Sequence, residues 1–124
     1  MKSLKDFVQA ALEHVPEVTP EETLARLSEP NLLLLDVREP DEFEAGHLPG
    51  AVNLPRGWVE VKVDLEHPKR DPALADRERP VICYCGGGHR SALAARAMQE
   101  MGFTNVVSMA EGWTGWTKRG FPTA

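Results

Sequence analysis

Short apolar runs bounded by helix breakers constrain the fold of this sequence more than any other feature. Leucine fills every position from 32 to 35, between Pro30 and Asp36. Such an unbroken run is typical of a strand covered on both faces, as in a parallel sheet. A second run, Val81–Tyr84, begins with two β-branched residues, which favour extended backbone. Both runs therefore predict strands, and the leucine run predicts a central one.

Helical and strand patterns alternate along the rest of the chain. A capping box opens one helix, predicted over 19–28, because Thr19 precedes Pro20 and Glu22. Apolar spacing and breakers predict further helices over 3–14, 41–45 and 91–101, and further strands over 51–54 and 106–107. Strands that alternate with helices imply right-handed crossovers, so we expect an α/β fold with a mostly parallel sheet flanked by helices.

Residues 56–80 leave two interpretations open. Val59, Val61, Val63 and Leu65 alternate with polar residues, which is the period of a strand. Three prolines within 56–80, at positions 68, 72 and 80, equally allow an irregular loop.

Composition and charge narrow the class of protein. A chain of 124 residues, with 42% apolar and 27% charged residues, suits one globular domain over 1–124. The net charge of −5 and the lack of a basic stripe argue against nucleic acid as a partner. No segment approaches the ~20 apolar residues of a membrane span, and the N-terminus lacks a secretory core. Cys83 and Cys85 stand too close in one strand for a disulfide, so we expect free thiols and a cytoplasmic location.

Cys85 follows the second predicted strand and opens a glycine-rich segment. In parallel α/β sheets the ligand site lies beyond the carboxyl ends of the strands, where Asp36 also stands. Turn amides, the start of the next helix and the charge of Arg90 all favour a thiolate over a thiol. We therefore predict that Cys85 is a nucleophile and that the following residues form its substrate loop: Gly86, Gly87, Gly88, His89, Arg90 and Ser91. No metal or cofactor is expected, because the Cys-x-Cys pair lacks a second ligand pair nearby.

Four sequence blocks over about 20–122 resemble the rhodanese (sulfurtransferase) family. Cys85 and the six residues after it match the family loop C-x-x-G-x-R-S at every specified position. The other blocks are Asp36-Val37-Arg38-Glu39 with Glu42-Phe43 and Gly46-His47-Leu48-Pro49-Gly50-Ala51, then Asn53-Leu54-Pro55, and finally Gly112-Trp113 with Trp116, Gly120 and Pro122. One loop would be weak evidence, but four blocks in the same order are strong evidence.

The resemblance implies a fold, an activity and partners. The fold would be a five-stranded parallel sheet flanked by helices. Cys85 would take a sulfane sulfur from a small donor, thiosulfate or a persulfide, and pass it to a thiol or cyanide. A protein of a sulfur-relay pathway is a further candidate partner. Amides from Gly86 to Ser91 would hold the charged sulfur, while Asp36 and Arg38 would either support the loop or form an ordinary strand-end ion pair.

Two departures from the family pattern keep alternatives open. The loop has fewer cationic side chains than members that use thiosulfate well, so a persulfide donor is a rival to thiosulfate. Glu111 stands where the family often has glycine, which raises the question of that turn's conformation.

Other functions remain in competition with sulfur transfer. The same fold could serve as a non-enzymatic interaction or sulfur-relay module. A cysteine-dependent phosphatase or arsenate reductase is less favoured, because its loop places arginine after five residues and Arg90 follows Cys85 after four. We expect the second thiol, Cys83, to be structural.

Overall fold

The computed structural model describes all residues from Met1 to Ala124 and contains one five-stranded sheet. The strands run in the order β1-β5-β4-β2-β3, and every neighbouring pair is parallel. Their bounds are Glu17–Val18 for β1, Leu33–Asp36 for β2, Val52–Asn53 for β3, Val81–Tyr84 for β4 and Val106–Met109 for β5. The predicted α/β fold with a parallel five-stranded sheet is therefore confirmed.

The sheet is covered on both faces by helices. These are α1 (Leu4–Leu12), α2 (Pro20–Arg26), α3 (Pro40–Ala45), α4 (Val59–Val63), α5 (His89–Glu100) and α6 (Gly112–Lys118), with 3₁₀ turns at Arg56–Trp58 and Pro72–Leu74. Helices α4 and α5 share one apolar core with alternate strand residues, and α2 and α6 pack on the opposite core. Helix α1 lies outside α5, against Ala92. No helix has the length and apolar character needed to cross a bilayer.

The register of β2 and β4 brings two chemical groups to one edge. Both strands are buried at every position, which explains why all their residues except Asp36 are apolar. Asp36 pairs with Tyr84 at the carboxyl ends of the two strands. Cys85 is the next residue of the chain, so the predicted nucleophile and Asp36 lie at the same edge of the sheet.

The strand interpretation of residues 59–65 is wrong. Residues 59–63 form α4, in which Val59 and Val63 stand one helical turn apart and are fully buried. Apolar residues at 59, 61 and 63 fit a strand period, but positions four apart also share one helix face. The helical packing prevails because these two valines complete the core beside α5.

The sequence patterns also missed strand β1, helix α6, both 3₁₀ turns, the start of α5 and the end of β5. Strand β1 has only two residues, and its hydrogen bonds come from remote amides, as when Ala110 N donates to Val18 O at 2.9 Å. Helix α6 was not predicted because four of its seven residues are glycine or threonine, which are poor helix formers. Helix α5 begins at His89, two residues before the predicted start.

Candidate active site

The Cys85 thiol lies beneath the first turn of α5. Its side chain is 1% exposed and faces the core shared with that helix. The sulfur accepts hydrogen bonds from Gly88 N at 3.1 Å and Ser91 N at 3.4 Å. Gly88 caps the helix with a left-handed φ of +105°, a conformation that glycine adopts without strain. The loop thus curls back over its own cysteine.

Four other amides of this loop have no acceptor within the protein. They belong to Gly86, Gly87, His89 and Arg90. Gly87 and His89 are exposed, so the loop is open to solvent on that side. Clustered, unpaired N–H groups at a helix start form a site for an anion. The loop can therefore receive a negatively charged atom attached to the sulfur.

A buried chain of hydroxyl groups continues from the sulfur into the sheet. The Cys85 thiol donates to Ser91 Oγ at 3.4 Å, and the Ser91 hydroxyl donates to Gly88 O at 3.2 Å. Ser91 Oγ in turn accepts from Ser108 Oγ at 2.8 Å. The sequence predicted Ser91 but missed Ser108, which is 17 residues away on β5.

Arg90 is held by an acidic residue that sequence reasoning missed. Its Nη1 lies 2.7 Å from Glu42 Oε1 and its Nη2 3.2 Å from Glu42 Oε2. Glu42 also caps α3 by accepting from Glu39 N at 3.0 Å. These hydrogen bonds, Arg90 first, lower the pKa of Glu42 to about 2. The only guanidinium of the loop is therefore neutralised and anchors the loop to α3.

Asp36 and Arg38 form a buried ion pair at the sheet edge. Arg38 Nη2 lies 2.7 Å from Asp36 Oδ2 and donates to Gly46 O at 2.7 Å. The guanidinium also stacks on the Trp113 ring, 4.8 Å from its centre. Neither side chain hydrogen-bonds the Cys85 loop. Of the two predicted roles, these contacts match the strand-end ion pair. Arg38 also contacts Trp113, whose backbone amide donates to Cys85 O.

Helix α6 supports the loop through its backbone. Trp113 N donates to Cys85 O at 2.7 Å, and Thr114 N donates to Gly86 O at 3.1 Å. This approach is so close that a Cβ at Gly112 would lie 2.4 Å from Cys85 O. The terminal sequence block thus contributes to the site as a brace, with Gly112 at a left-handed φ of +54°.

Glu111 adopts the conformation for which glycine is better suited. Its φ is +65°, in the left-handed region. The carboxylate receives two hydrogen bonds from Arg119, at 3.1 and 2.8 Å. Gly115 leaves room for this side chain, since a Cβ there would lie 2.4 Å from the Glu111 Cβ. The departure from the family pattern therefore leaves the turn intact.

Cys83 lies deeper in the same core and is not exposed at all. Burial raises the pKa of this thiol to about 12. Its sulfur contacts Met98 Sδ at 3.9 Å. Cys83 therefore stays a thiol that packs in the core. No three His, Cys, Asp or Glu side chains come together in a way that could hold a metal ion.

The fold and the site define a class of protein: a parallel α/β domain with a cysteine loop at the carboxyl edge of its sheet. Comparison with known proteins identifies the family. A family model, the rhodanese-like domain, matches residues 19–119. The chain therefore belongs to the rhodanese-like family.

Individual relatives agree with this assignment. YrkF of Bacillus subtilis is 34% identical over 122 residues, which are 92% of this chain and 61% of YrkF. The chain thus spans about three fifths of that relative. A sulfurtransferase of Allochromatium vinosum is 30% identical over 109 residues, 87% of this chain and 94% of the relative.

Among solved structures, a Rhodopseudomonas palustris protein of unknown function, suggested to be a tyrosine phosphatase, superposes with a TM-score of 0.94. It is 28% identical, and the match covers 100% of this chain and 96% of that one.

Proposed function

We propose that the protein is a sulfurtransferase that moves a sulfane sulfur through a persulfide on Cys85. The observation that supports this most is the set of amides around the sulfur. Two of them, from Gly88 and Ser91, already donate to Sγ, and four more in the loop have no acceptor. Preorganised donors of this kind stabilise charge that appears during a reaction.

The first half-reaction loads the sulfur. The Cys85 thiolate attacks the outer sulfur of thiosulfate, the S–S bond breaks, and sulfite leaves with its electron pair. With a persulfide donor, the same attack releases a thiolate. In both cases Cys85 gains one sulfur atom, and the unpaired amides can stabilise its negative charge by donating hydrogen bonds.

The second half-reaction unloads the sulfur. Cyanide or an acceptor thiolate attacks the terminal sulfur, the bond between the two sulfurs breaks, and Cys85 leaves as a thiolate. The products are thiocyanate or a new persulfide, and no outside oxidant or reductant is needed. Two half-reactions through a covalent intermediate give ping-pong kinetics.

The charges of the loop favour a persulfide donor over thiosulfate. Arg90 is the only guanidinium in the loop, and Glu42 neutralises it through two hydrogen bonds. A doubly charged inorganic donor therefore meets little net positive charge. We propose a small thiol persulfide, or the persulfide of a relay protein, as the better donor, and a thiol as the acceptor in the cytoplasm.

One experiment tests the proposal. Wild type, Cys85→Ser and the matched control Cys83→Ser are incubated with thiosulfate or glutathione persulfide and weighed intact. Cyanide is then added, and thiocyanate formation above the protein-free rate is measured. Wild type and Cys83→Ser should gain the mass of one sulfur and form thiocyanate, whereas Cys85→Ser should do neither. A wild-type mass that never rises, or equal thiocyanate rates with and without Cys85, would refute the mechanism.

A phosphate ester in the same assay tests the rival phosphatase function. Arg90 follows Cys85 after four residues and is bound to Glu42. A shorter loop has fewer amides for a tetrahedral phosphate. We expect no hydrolysis of para-nitrophenyl phosphate above that of Cys85→Ser.

A further inference from the structure

Ser108 carries a buried hydroxyl group that hydrogen-bonds a residue of the Cys85 loop. It lies on β5, beside Cys83 in the register with β4, and is not exposed. Its side chain has a single hydrogen-bond partner, Ser91 Oγ at 2.8 Å. A buried hydroxyl is costly unless it is hydrogen-bonded, and here its bond leads toward the Cys85 sulfur.

The direction of each hydrogen bond follows from counting protons. A serine hydroxyl has one proton and two lone pairs. The Ser91 proton is directed to Gly88 O at 3.2 Å, so the bond between the two serines uses the proton of Ser108. Ser91 Oγ also accepts from the Cys85 thiol at 3.4 Å.

Loss of the thiol proton to solvent changes this arrangement. A thiolate can no longer donate and becomes a charged acceptor, which forms stronger hydrogen bonds than a neutral carbonyl. The Ser91 proton can then turn from Gly88 O to Cys85 Sγ. Ser108 does not need to move, because it still donates to Ser91 Oγ, and a donor behind a hydroxyl strengthens that hydroxyl's own donation.

We propose that Ser108 is a positioning residue that holds and polarises the Ser91 hydroxyl as a donor to the Cys85 thiolate. This inference rests on the proposed function, in which the thiolate both attacks the donor and leaves at the end. Other titratable or charged groups near the sulfur are Cys83 on β4 and Arg90 with its Glu42 partner, together with His89 in the loop and the pair Asp36 and Arg38 at the sheet edge.

The test measures the rate at which iodoacetamide alkylates Cys85 over a range of pH. Tandem mass spectrometry distinguishes this thiol from Cys83. The variants are Ser108→Ala, Ser91→Ala, the double variant and Ser108→Thr, which keeps the hydroxyl. Circular dichroism checks that each is folded. Since a thiol is a weak donor, Ser108→Cys gives the same test if Ser108→Ala does not fold.

We expect Ser108→Ala to be alkylated about two- to tenfold more slowly at acidic pH, the effect of one modest hydrogen bond. The deficit should disappear at alkaline pH, where Cys85 reacts as a thiolate with or without Ser108. Ser108→Thr should keep the wild-type dependence of the alkylation rate on pH. In the Ser91→Ala background, Ser108→Ala should not lower that rate further.

Three results would overturn the proposal: an unchanged acidic rate, the same deficit at every pH, or an undiminished effect of Ser108→Ala when Ser91 is absent. Alkylation requires no sulfur donor, so this outcome is separate from that of the sulfur-loading experiment. A protein that accepts no sulfur would refute the proposed function and leave the serine coupling measurable.

Discussion

Replacement of Glu42 by glutamine measures the contribution of the ion pair between Glu42 and Arg90, which anchors the Cys85 loop. Glutamine keeps the size of the side chain and a carbonyl oxygen that can accept from Glu39 N, as glutamine does in capping boxes. The substitution therefore removes the charge opposite Arg90 while it leaves the cap of α3 in place.

The structure sets the size of the expected loss. The Glu42 and Arg90 side chains are 35% and 40% exposed, so solvent screens their attraction. Pairs of this exposure contribute about 0.2–1 kcal/mol, and two hydrogen bonds place this one near the upper end. We expect Glu42→Gln to lower the free energy of unfolding by about 1 kcal/mol at pH 7.

The loss should depend on pH in a defined direction. The carboxyl has an ordinary pKa of 4.5 and a folded-state pKa of about 2. A lowered pKa means that the ion pair contributes fully above about pH 4.5 and that its contribution is lost as the pH falls toward 2. The difference between wild type and variant should therefore shrink as the pH falls from about 4.5 toward 2.

Urea unfolding followed by circular dichroism measures both effects. Asp41→Asn is the matched control, because it removes the same charge from the same helical turn at an exposed carboxylate that has no hydrogen-bond partner. Equal losses in Glu42→Gln and Asp41→Asn at pH 7 would show that the pair with Arg90 is not the cause. A loss that stays constant down to pH 3 would refute the assigned titration.

Two further substitutions, measured by urea unfolding, test the backbone brace from α6 and the buried ion pair at the sheet edge. Gly112→Ala should destabilise far more than Gly120→Ala and should also reduce sulfur loading. Both glycines have a left-handed φ, which strains alanine by about 1–2 kcal/mol. Only at Gly112 would the new Cβ also collide with Cys85 O. Equal losses of unfolding free energy in the two variants would contradict this explanation. Asp36→Ala should lower the free energy of unfolding by about 3–5 kcal/mol, because it leaves the Arg38 charge buried and unpaired. A loss below about 1 kcal/mol, the value of an exposed pair, would contradict a fully buried pair.

The fold was predictable where the sequence signal is local and continuous. Strands β2 and β4 are buried on both faces, so each contains a run of consecutive apolar residues that a single sequence reveals, with Asp36 at the end of β2 as the one charged residue. Strand β1 offers only Glu17 and Val18, and its pairing with β5 depends on residues about ninety positions away. A two-residue strand has no period of its own, which explains why it was missed.

The site, like the fold, was predictable only where its residues are contiguous in the sequence. Cys85 and its loop are contiguous, so their spacing could be matched directly. Glu42 and Ser108 are separated from their partners by 48 and 17 residues, and each has an ordinary local context in a helix turn or a strand. Only the folded topology shows that one pairs with Arg90 and the other with Ser91.

The supports of the loop differ in kind, and this determines what each substitution should change. The amides of α6 hold the carbonyls of Cys85 and Gly86, on the backbone of the proposed nucleophile itself. Glu42 holds a half-exposed side chain farther along the loop. Amides act on a developing charge only if their positions are fixed beforehand. We therefore infer that the ion pair contributes mainly to stability, whereas the α6 contacts govern the rate of the proposed sulfur transfer.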